Sequence, residues 1–143
     1  MARFNKFLNA QKESYDDALA EMRRGRKKTH WMWFVFPQLK GLGQSWTSDY
    51  FGLDSLADAK DYLRHPLLRS RLEEISRVVY DLDAADISKV FGYPDTLKFQ
   101  SSMTLFALAD PDNPIYQKNL DRYFEGQMCQ YTVEMCRKES DNV

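Results

Sequence analysis

A cluster of cations followed by two tryptophans is the first group of residues that could carry chemistry. Segment 23–28 holds five Lys or Arg in six positions, and His30, Trp31 and Trp33 follow it closely. Cations attract phosphate, and the face of an indole ring can stack on a base. The pattern therefore predicts a ligand site in which Lys28 and His30 supply positive charge beside an aromatic wall of Trp31 or Trp33.

The same segment also fits a purely structural role. Arg23 and Arg24 would end a helix, where cations favour the negative end of the helix dipole, and the tryptophans would belong to the core. Side chains two positions apart on a helix point ~200° apart, so Trp31 and Trp33 cannot both enter a core from one face. At least one of the two is therefore expected to line an opening or an interface.

A second group of polar residues lies in a segment that is otherwise apolar. Lys98, Ser101 and Ser102 are spaced i, i+3 and i+4, which places them on one face of a helix. A lysine beside two hydroxyls can hold an anion, and these side chains together with Gln38 would form directional hydrogen bonds to a ligand. The alternative is that the hydroxyls bond back to carbonyls one turn earlier and let helices pack closely.

Catalytic residues are less clearly marked. Asp95, Lys98 and His30 are the candidates, and Glu21 is a further carboxylate available from the first helix. Cleavage of an N-glycosidic bond passes through an oxocarbenium-like transition state that a carboxylate can stabilise. The sequence contains no G-x-S-x-G, H-E-x-x-H or Walker motif, and it leaves the question of a reaction open.

Composition narrows the class of protein. The chain has 143 residues, a net charge of −1 and 14% aromatic residues, which predicts a folded core and argues against nucleic acid as the principal partner. No apolar run approaches the ~18 residues of a membrane span, and the N-terminus has no signal-peptide pattern. Cys129 and Cys136 would lie about 10 Å apart on a helix, too far for a disulfide. We therefore expect a cytoplasmic protein without a metal, cofactor or membrane partner, whose oligomeric state the sequence leaves open.

The elements that must position these residues are helices. Apolar residues recur at helical spacing along nearly the whole chain, with little of the alternation found in strands. We therefore predict an all-α fold, one compact domain of about six to eight helices over residues 1–143. Ser14 is an alternative break in the first helix, and residues 41–45 form a loop. The predicted helix ends rest on caps and turns at Gly25, Pro37, Asp54 or Ser55, Pro66, Asp86, Gly92, Pro94, Asn113 and Gly126.

Four stretches of the chain resemble the bacterial domain-of-unknown-function family 1810. They are GRKKTHWMWFVFPQ at 25–38, LADAKDYLRHPLL at 56–68, FGYPDTLKFQSSMTLF at 91–106 and LDRYF at 120–124. The resemblance implies a compact, mostly helical domain and supplies no established reaction. Similar sequences often carry the label calpastatin, but calpastatin-type inhibitors are long, disordered and repetitive, whereas this chain is short, aromatic-rich and without a repeat.

Three functions are open at this point. The first is a pocket for a small anionic or nucleotide-like ligand, which requires segments 28–38 and 95–104 to meet. The second makes that pocket a glycohydrolase acting on ADP-ribose or nucleotide derivatives, because Lys98-Phe99 is similar to a Lys-Phe pair in the all-helical NADAR superfamily. The third is nucleic-acid or protein binding through the basic segment 23–28.

Overall fold

The computed structural model describes residues 2–141, in which a 3-10 helix at Ala2–Phe4 leads into nine α-helices and no β-strand occurs. The predicted all-α class is confirmed. The helices are α1 (Asn5–Arg24), α2 (Met32–Val35), α3 (Trp46–Phe51), α4 (Leu56–Arg64), α5 (Pro66–Asp81), α6 (Ile87–Phe91), α7 (Asp95–Ala109), α8 (Ile115–Phe124) and α9 (Gln130–Asp141).

Several helix ends lie where cap and turn residues predict them. Gly25 follows α1 with a left-handed φ of 81°, and its backbone N–H donates to Met22 O. The Ser55 hydroxyl caps α4 by accepting a hydrogen bond from the backbone N–H of Asp58, and Asp86 caps α6 in the same manner. These ends are set by local chemistry, because each unpaired N–H or carbonyl finds its partner within a few residues.

Helix α1 follows the predicted single segment and not the alternative break at Ser14, whereas the number of helices differs from the prediction. Helix α1 runs unbroken through Ser14, because buried Gln11 and Tyr15 continue one inward face past that residue. The short helix α3 begins directly after loop 41–45, where Ser45 accepts a 3.1 Å hydrogen bond from the backbone N–H of Ser48. With α3, the described residues contain nine α-helices where about six to eight are predicted.

Helix α7 is the central helix of the fold. It packs against α4, α6, α8 and α9 and also contacts α2. Residues 101–107 are all buried, so α7 is enclosed on several sides. Near its start, the ring of Phe99 packs against those of Phe36 and Phe91, with centroid distances of 5.1 and 4.6 Å. This aromatic contact brings the chain around α2 against the first turns of α7.

A short backbone pairing fixes the chain on either side of loop 41–45. The N–H of Lys40 donates to Leu53 O at 2.8 Å, and the N–H of Leu53 donates to Gln38 O at 2.9 Å. This isolated parallel bridge holds the main chain of Gln38 in place. Within residues 2–141, no helix combines the length and the apolar composition needed to cross a membrane.

Candidate functional site

A small cavity of about 110 Å³ lies between the chain around α2 and the start of α7. His30, Asp95 and Lys98, which the sequence marks as candidates, all line it, together with Lys27 and Trp33. His30 is exposed at its edge. Segments 28–38 and 95–104 therefore meet, as the ligand-pocket hypothesis requires.

Asp95 joins two lysines at the wall of the small cavity. Its Oδ2 lies 2.8 Å from Lys27 Nζ, and its Oδ1 lies 3.0 Å from Lys98 Nζ. Burial by itself raises the pKa of Asp95, but the two ammonium groups outweigh it and hold that pKa below its usual value. Asp95 is therefore ionised at neutral pH, and the three groups carry one net positive charge. The Lys27 side chain is only 7% exposed, so solvent screens this charge poorly.

Trp31 is a core residue whose polar edge is already occupied. It is 1% exposed, and its Nε1 donates a 3.0 Å hydrogen bond to Glu21 Oε1. Glu21 also accepts bonds from the N–H of Lys28 at 2.6 Å, the N–H of Thr29 at 3.0 Å and the Thr29 hydroxyl at 2.5 Å. Burial raises the pKa of Glu21, but these four bonds outweigh it and lower the pKa to about 2. Trp31 lines the small cavity but is almost wholly buried, so of the two tryptophans Trp33 presents the larger ring surface to a ligand.

Trp33 is half-buried and lines both the small cavity and a second, larger space. Lys98 Nζ lies 4.7 Å from its ring centroid, which is a cation–π distance. Loop 41–45 approaches the indole through Gly43. A Cβ added to Gly43 would lie 2.7 Å from Trp33 Cη2 and 2.6 Å from Ser48 Cβ, so glycine alone fits there. The loop therefore fixes the position of the indole.

The large cleft has a volume of about 620 Å³ and lies between loop 41–45, the start of α7 and the turn before α9. Its lining is mainly apolar and includes Trp33, Leu42, Tyr93, Leu97 and Met128. With Trp33, four residues predicted to bind a ligand line it, the others being Gln38, Lys98 and Ser101. Trp33 and Lys98 are thus shared between the large cleft and the small cavity.

Gln38 forms part of the floor of the large cleft. It is 1% exposed, and its Nε2 has no hydrogen-bond acceptor among residues 2–141. A buried amide donor without a partner is costly, and most such groups in native proteins are satisfied. By contrast, the amide of Gln100 at the same cleft donates to Gln127 O at 2.9 Å. Gln38 is therefore a buried polar group beside the cleft, and its donor has no partner among the described residues.

The two predicted serines differ in position. Ser101 lines the cleft, and its hydroxyl donates back to Leu97 O at 3.0 Å, which is the alternative that the sequence allowed. Ser102 is fully buried and lines neither the small cavity nor the large cleft. Consecutive helical residues point ~100° apart, and α7 is enclosed on several sides. The structure thus corrects the placement of Ser102, which belongs to the core.

Lys27, and not Lys28, brings positive charge to the small cavity. Lys28 is exposed and lines neither of the two spaces. Backbone bonds determine this choice, because the N–H of Lys27 donates to Val90 O at 2.7 Å while the N–H of Lys28 donates to Glu21. Residues 26–28 are not helical, so helical spacing says nothing about their directions.

Several residues of the cleft carry no signal in the sequence. Tyr93 and Leu97 are exposed beside it, and Met128 and Cys129 come from the turn before α9. Both cysteines are free: Cys129 is half-buried in the cleft, whereas Cys136 is buried in α9, where burial raises the pKa of its thiol to about 11. In the part of the chain that the structure describes, no three His, Cys, Asp or Glu side chains come together in a way that could hold a metal ion.

Comparison with known proteins gives a family and a similar fold. Residues 1–136 match the family described as protein of unknown function DUF1810. The crystal structure of the conserved hypothetical protein Rv1873 from Mycobacterium tuberculosis is similar, with a TM-score of 0.91 and 42% identity over 94% of this chain and 96% of that chain. No curated protein matches the sequence. Because the family match spans nearly the whole chain, the protein belongs to the DUF1810 family.

Proposed function

We propose that this protein binds a small anionic or nucleotide-like ligand across the small cavity and the large cleft. The observation that carries the proposal is that both spaces share Trp33 and Lys98, an aromatic ring and a cation in contact. Sites for small molecules typically have volumes of ~300–1,000 Å³, mostly apolar linings and a few polar groups. At about 620 Å³, the large cleft has this size, and its lining has this character.

The charges around Asp95 favour an anion. Lys27 and Lys98 together exceed the single carboxylate between them by one positive charge. An anion in the small cavity would gain from that excess while the 2.8 Å pair between Lys27 and Asp95 stays intact. The exposed His30 at the cavity edge adds a side chain that can donate a hydrogen bond.

The geometry supports binding better than glycoside cleavage. A catalytic carboxylate must be free to stabilise an oxocarbenium ion or to take a proton. Asp95 is held by two lysines, and Glu21 accepts four hydrogen bonds. Both carboxylates considered for a glycohydrolase are therefore engaged in contacts that hold the chain together.

Binding of nucleic acid or protein through segment 23–28 has weaker support. Lys27 points to Asp95, so the five cations of this segment do not form one outer surface. Arg23, Arg24 and Arg26 are exposed, and a partner bound to them would not need the cleft. The two kinds of binding are therefore separable by mutation.

A thermal-shift screen tests the proposal. The probes are the four common nucleoside monophosphates, ADP-ribose, NAD and inorganic pyrophosphate. A ligand that binds the folded state raises the melting temperature by mass action, and tryptophan emission should change if the ligand meets Trp33. Lys98→Met should reduce the shift, whereas Lys60→Met, which alters an exposed lysine of α4, should not.

Two outcomes would count against the proposal. If none of the probes stabilises the folded wild-type protein, a ligand of this class is excluded. If free base accumulates while the protein is incubated with NAD or a nucleotide, the glycohydrolase becomes the better interpretation.

A further inference from the structure

We infer that the ligand is a nucleoside monophosphate bound in two parts, with its base in the large cleft against Gln38 and its phosphate in the small cavity at Lys98. This inference rests on the proposed function and names the class of ligand. The juxtaposition that carries it is a buried amide donor without a partner in residues 2–141 at one space and an excess cation at the adjoining one.

The two spaces differ in size in a way that separates the parts of such a ligand. One water molecule occupies about 30 Å³ of the liquid. The small cavity of about 110 Å³ therefore has room for a single group of phosphate size and not for a ring system with its sugar. The large cleft of about 620 Å³ has room for both base and sugar.

The two spaces also differ in charge. Among the described residues that line the large cleft, Lys98 alone is charged, and it lies where the cleft adjoins the small cavity. The rest of the cleft is apolar or neutral, which suits an uncharged planar ring and not a second anion. The anionic part of the ligand is therefore expected on the side of Lys27 and Lys98.

Gln38 requires a hydrogen-bond acceptor on the ring that binds in the large cleft. Its Nε2 is a donor without an acceptor in residues 2–141, and the bridge to Leu53 fixes its main chain. The carbonyl oxygens and ring nitrogens of nucleobases accept hydrogen bonds from side-chain amides. A base with such an acceptor would satisfy Gln38 once the amide, which is closed to solvent in the free protein, turns into the cleft, whereas a hydrocarbon ring would leave it unpaired.

This arrangement predicts opposite effects of one substitution on stability and on binding. Gln38→Met keeps the length of the side chain but removes the buried Nε2 donor, which has no partner within residues 2–141. The melting temperature of the free protein should rise by about 2–4 °C, because an unsatisfied buried donor is lost. The affinity for the ligand should fall about tenfold, because the base loses its partner. A glutamine with a merely structural role would show reduced stability.

The experiment measures dissociation constants by calorimetry for the four nucleoside monophosphates and for the matching nucleosides. Wild type, Gln38→Met, Lys98→Met and the control Gln117→Met on α8 are compared. For the preferred base, Gln38→Met should weaken the nucleoside and the monophosphate by the same factor. Lys98→Met should instead remove the advantage of the monophosphate over the nucleoside, and Gln117→Met should change neither value.

The following results would overturn the inference. If Gln38→Met lowers the melting temperature or leaves both affinities unchanged, Gln38 does not contact a base. If Lys98→Met weakens nucleoside and monophosphate equally, the phosphate is not at Lys98. Stabilisation by pyrophosphate, NAD or ADP-ribose without binding of any monophosphate would overturn this inference and leave the proposed function standing, whereas the absence of all binding would remove both.

Discussion

Lys98 Nζ lies 4.7 Å from the ring centroid of Trp33, and this contact links the two spaces of the candidate site. The same nitrogen lies 3.0 Å from Asp95 Oδ1 on the side of the small cavity. A molecule that packs against Trp33 in the large cleft therefore meets a cation whose other neighbour is a carboxylate. The charge state of one space is expected to influence binding in the other.

Replacing Asp95 with Asn is expected to strengthen anion binding while it weakens the fold. The substitution leaves Lys27 and Lys98 without their shared carboxylate, so the positive charge facing the small cavity doubles. The dissociation constant for a nucleoside monophosphate should fall about three- to tenfold at low ionic strength. The free energy of unfolding should fall by about 2–3 kcal/mol, because Lys27 is buried and loses its partner.

Calorimetry at two salt concentrations and urea unfolding measure these effects, with Asp17→Asn on the exposed surface of α1 as the control. Weaker binding of the anion by the Asp95→Asn variant would contradict the charge argument. It would indicate that the carboxylate itself contacts the ligand.

Glu21 should make the stability of the protein depend on pH in acid. Its pKa is about 2 in the folded protein, against an ordinary value of 4.5. Because the folded value is the lower one, the stabilisation is complete above about pH 4.5 and is lost as the pH falls towards 2. At about 1.4 kcal/mol per pH unit, the effect is on the order of 3 kcal/mol.

Glu21→Gln should remove this pH dependence and lower the free energy of unfolding at neutral pH. Urea unfolding between pH 2 and pH 7 provides the measurement, and Glu13→Gln, an exposed position on the same helix, provides the comparison. Parallel pH profiles for wild type and Glu21→Gln would show that Glu21 is not the group responsible.

Gly43→Ala should displace Trp33. The added methyl group has no space beside the indole and Ser48, and overpacking of this kind costs about 1–3 kcal/mol. Tryptophan emission should shift, and nucleotide affinity should fall with it. In a Trp33→Leu background, the cost of Gly43→Ala should be smaller, because the contact with Ser48 alone remains. An equal cost in both backgrounds would mean that the glycine does not serve to accommodate the indole.

Replacing Arg23, Arg24 and Arg26 with Gln should leave the cleft intact. These side chains are exposed, and their charges are screened by salt over ~10 Å. Affinity for a nucleoside monophosphate should stay within about twofold of wild type at physiological salt. Any retardation of nucleic acid in a gel-shift assay should disappear in the same variant. A large loss of nucleotide affinity would place the anion site on the three arginines instead of on Lys27 and Lys98.

The features that could be predicted from the sequence are those set by local chemistry. Gly25 ends α1 and Ser55 begins α4, because a left-handed turn and a side-chain cap act within a few residues. The geometry of a helix also predicts that Trp31 and Trp33 differ in environment. One is buried and the other lines the cleft, although their spacing does not say which is which.

The features that could not be predicted depend on partners distant in the chain. Lys27 lines the small cavity and Lys28 does not, because the backbone N–H of Lys27 donates a hydrogen bond to Val90 O. Ser102 is enclosed because several helices surround α7, and no pattern within α7 indicates this. That Gln38 Nε2 lacks a partner among the described residues is likewise evident only once its surroundings are in place.

The two cysteines differ in burial, so a thiol reagent can label the cleft selectively at Cys129. Cys129 lines the large cleft, whereas Cys136 is buried in α9 and its thiol has a pKa raised to about 11. A fluorophore attached at Cys129 would report occupancy of the cleft in the wild-type sequence. Small disulfide-forming fragments captured by the same thiol would map, one fragment at a time, which chemical groups the cleft accepts.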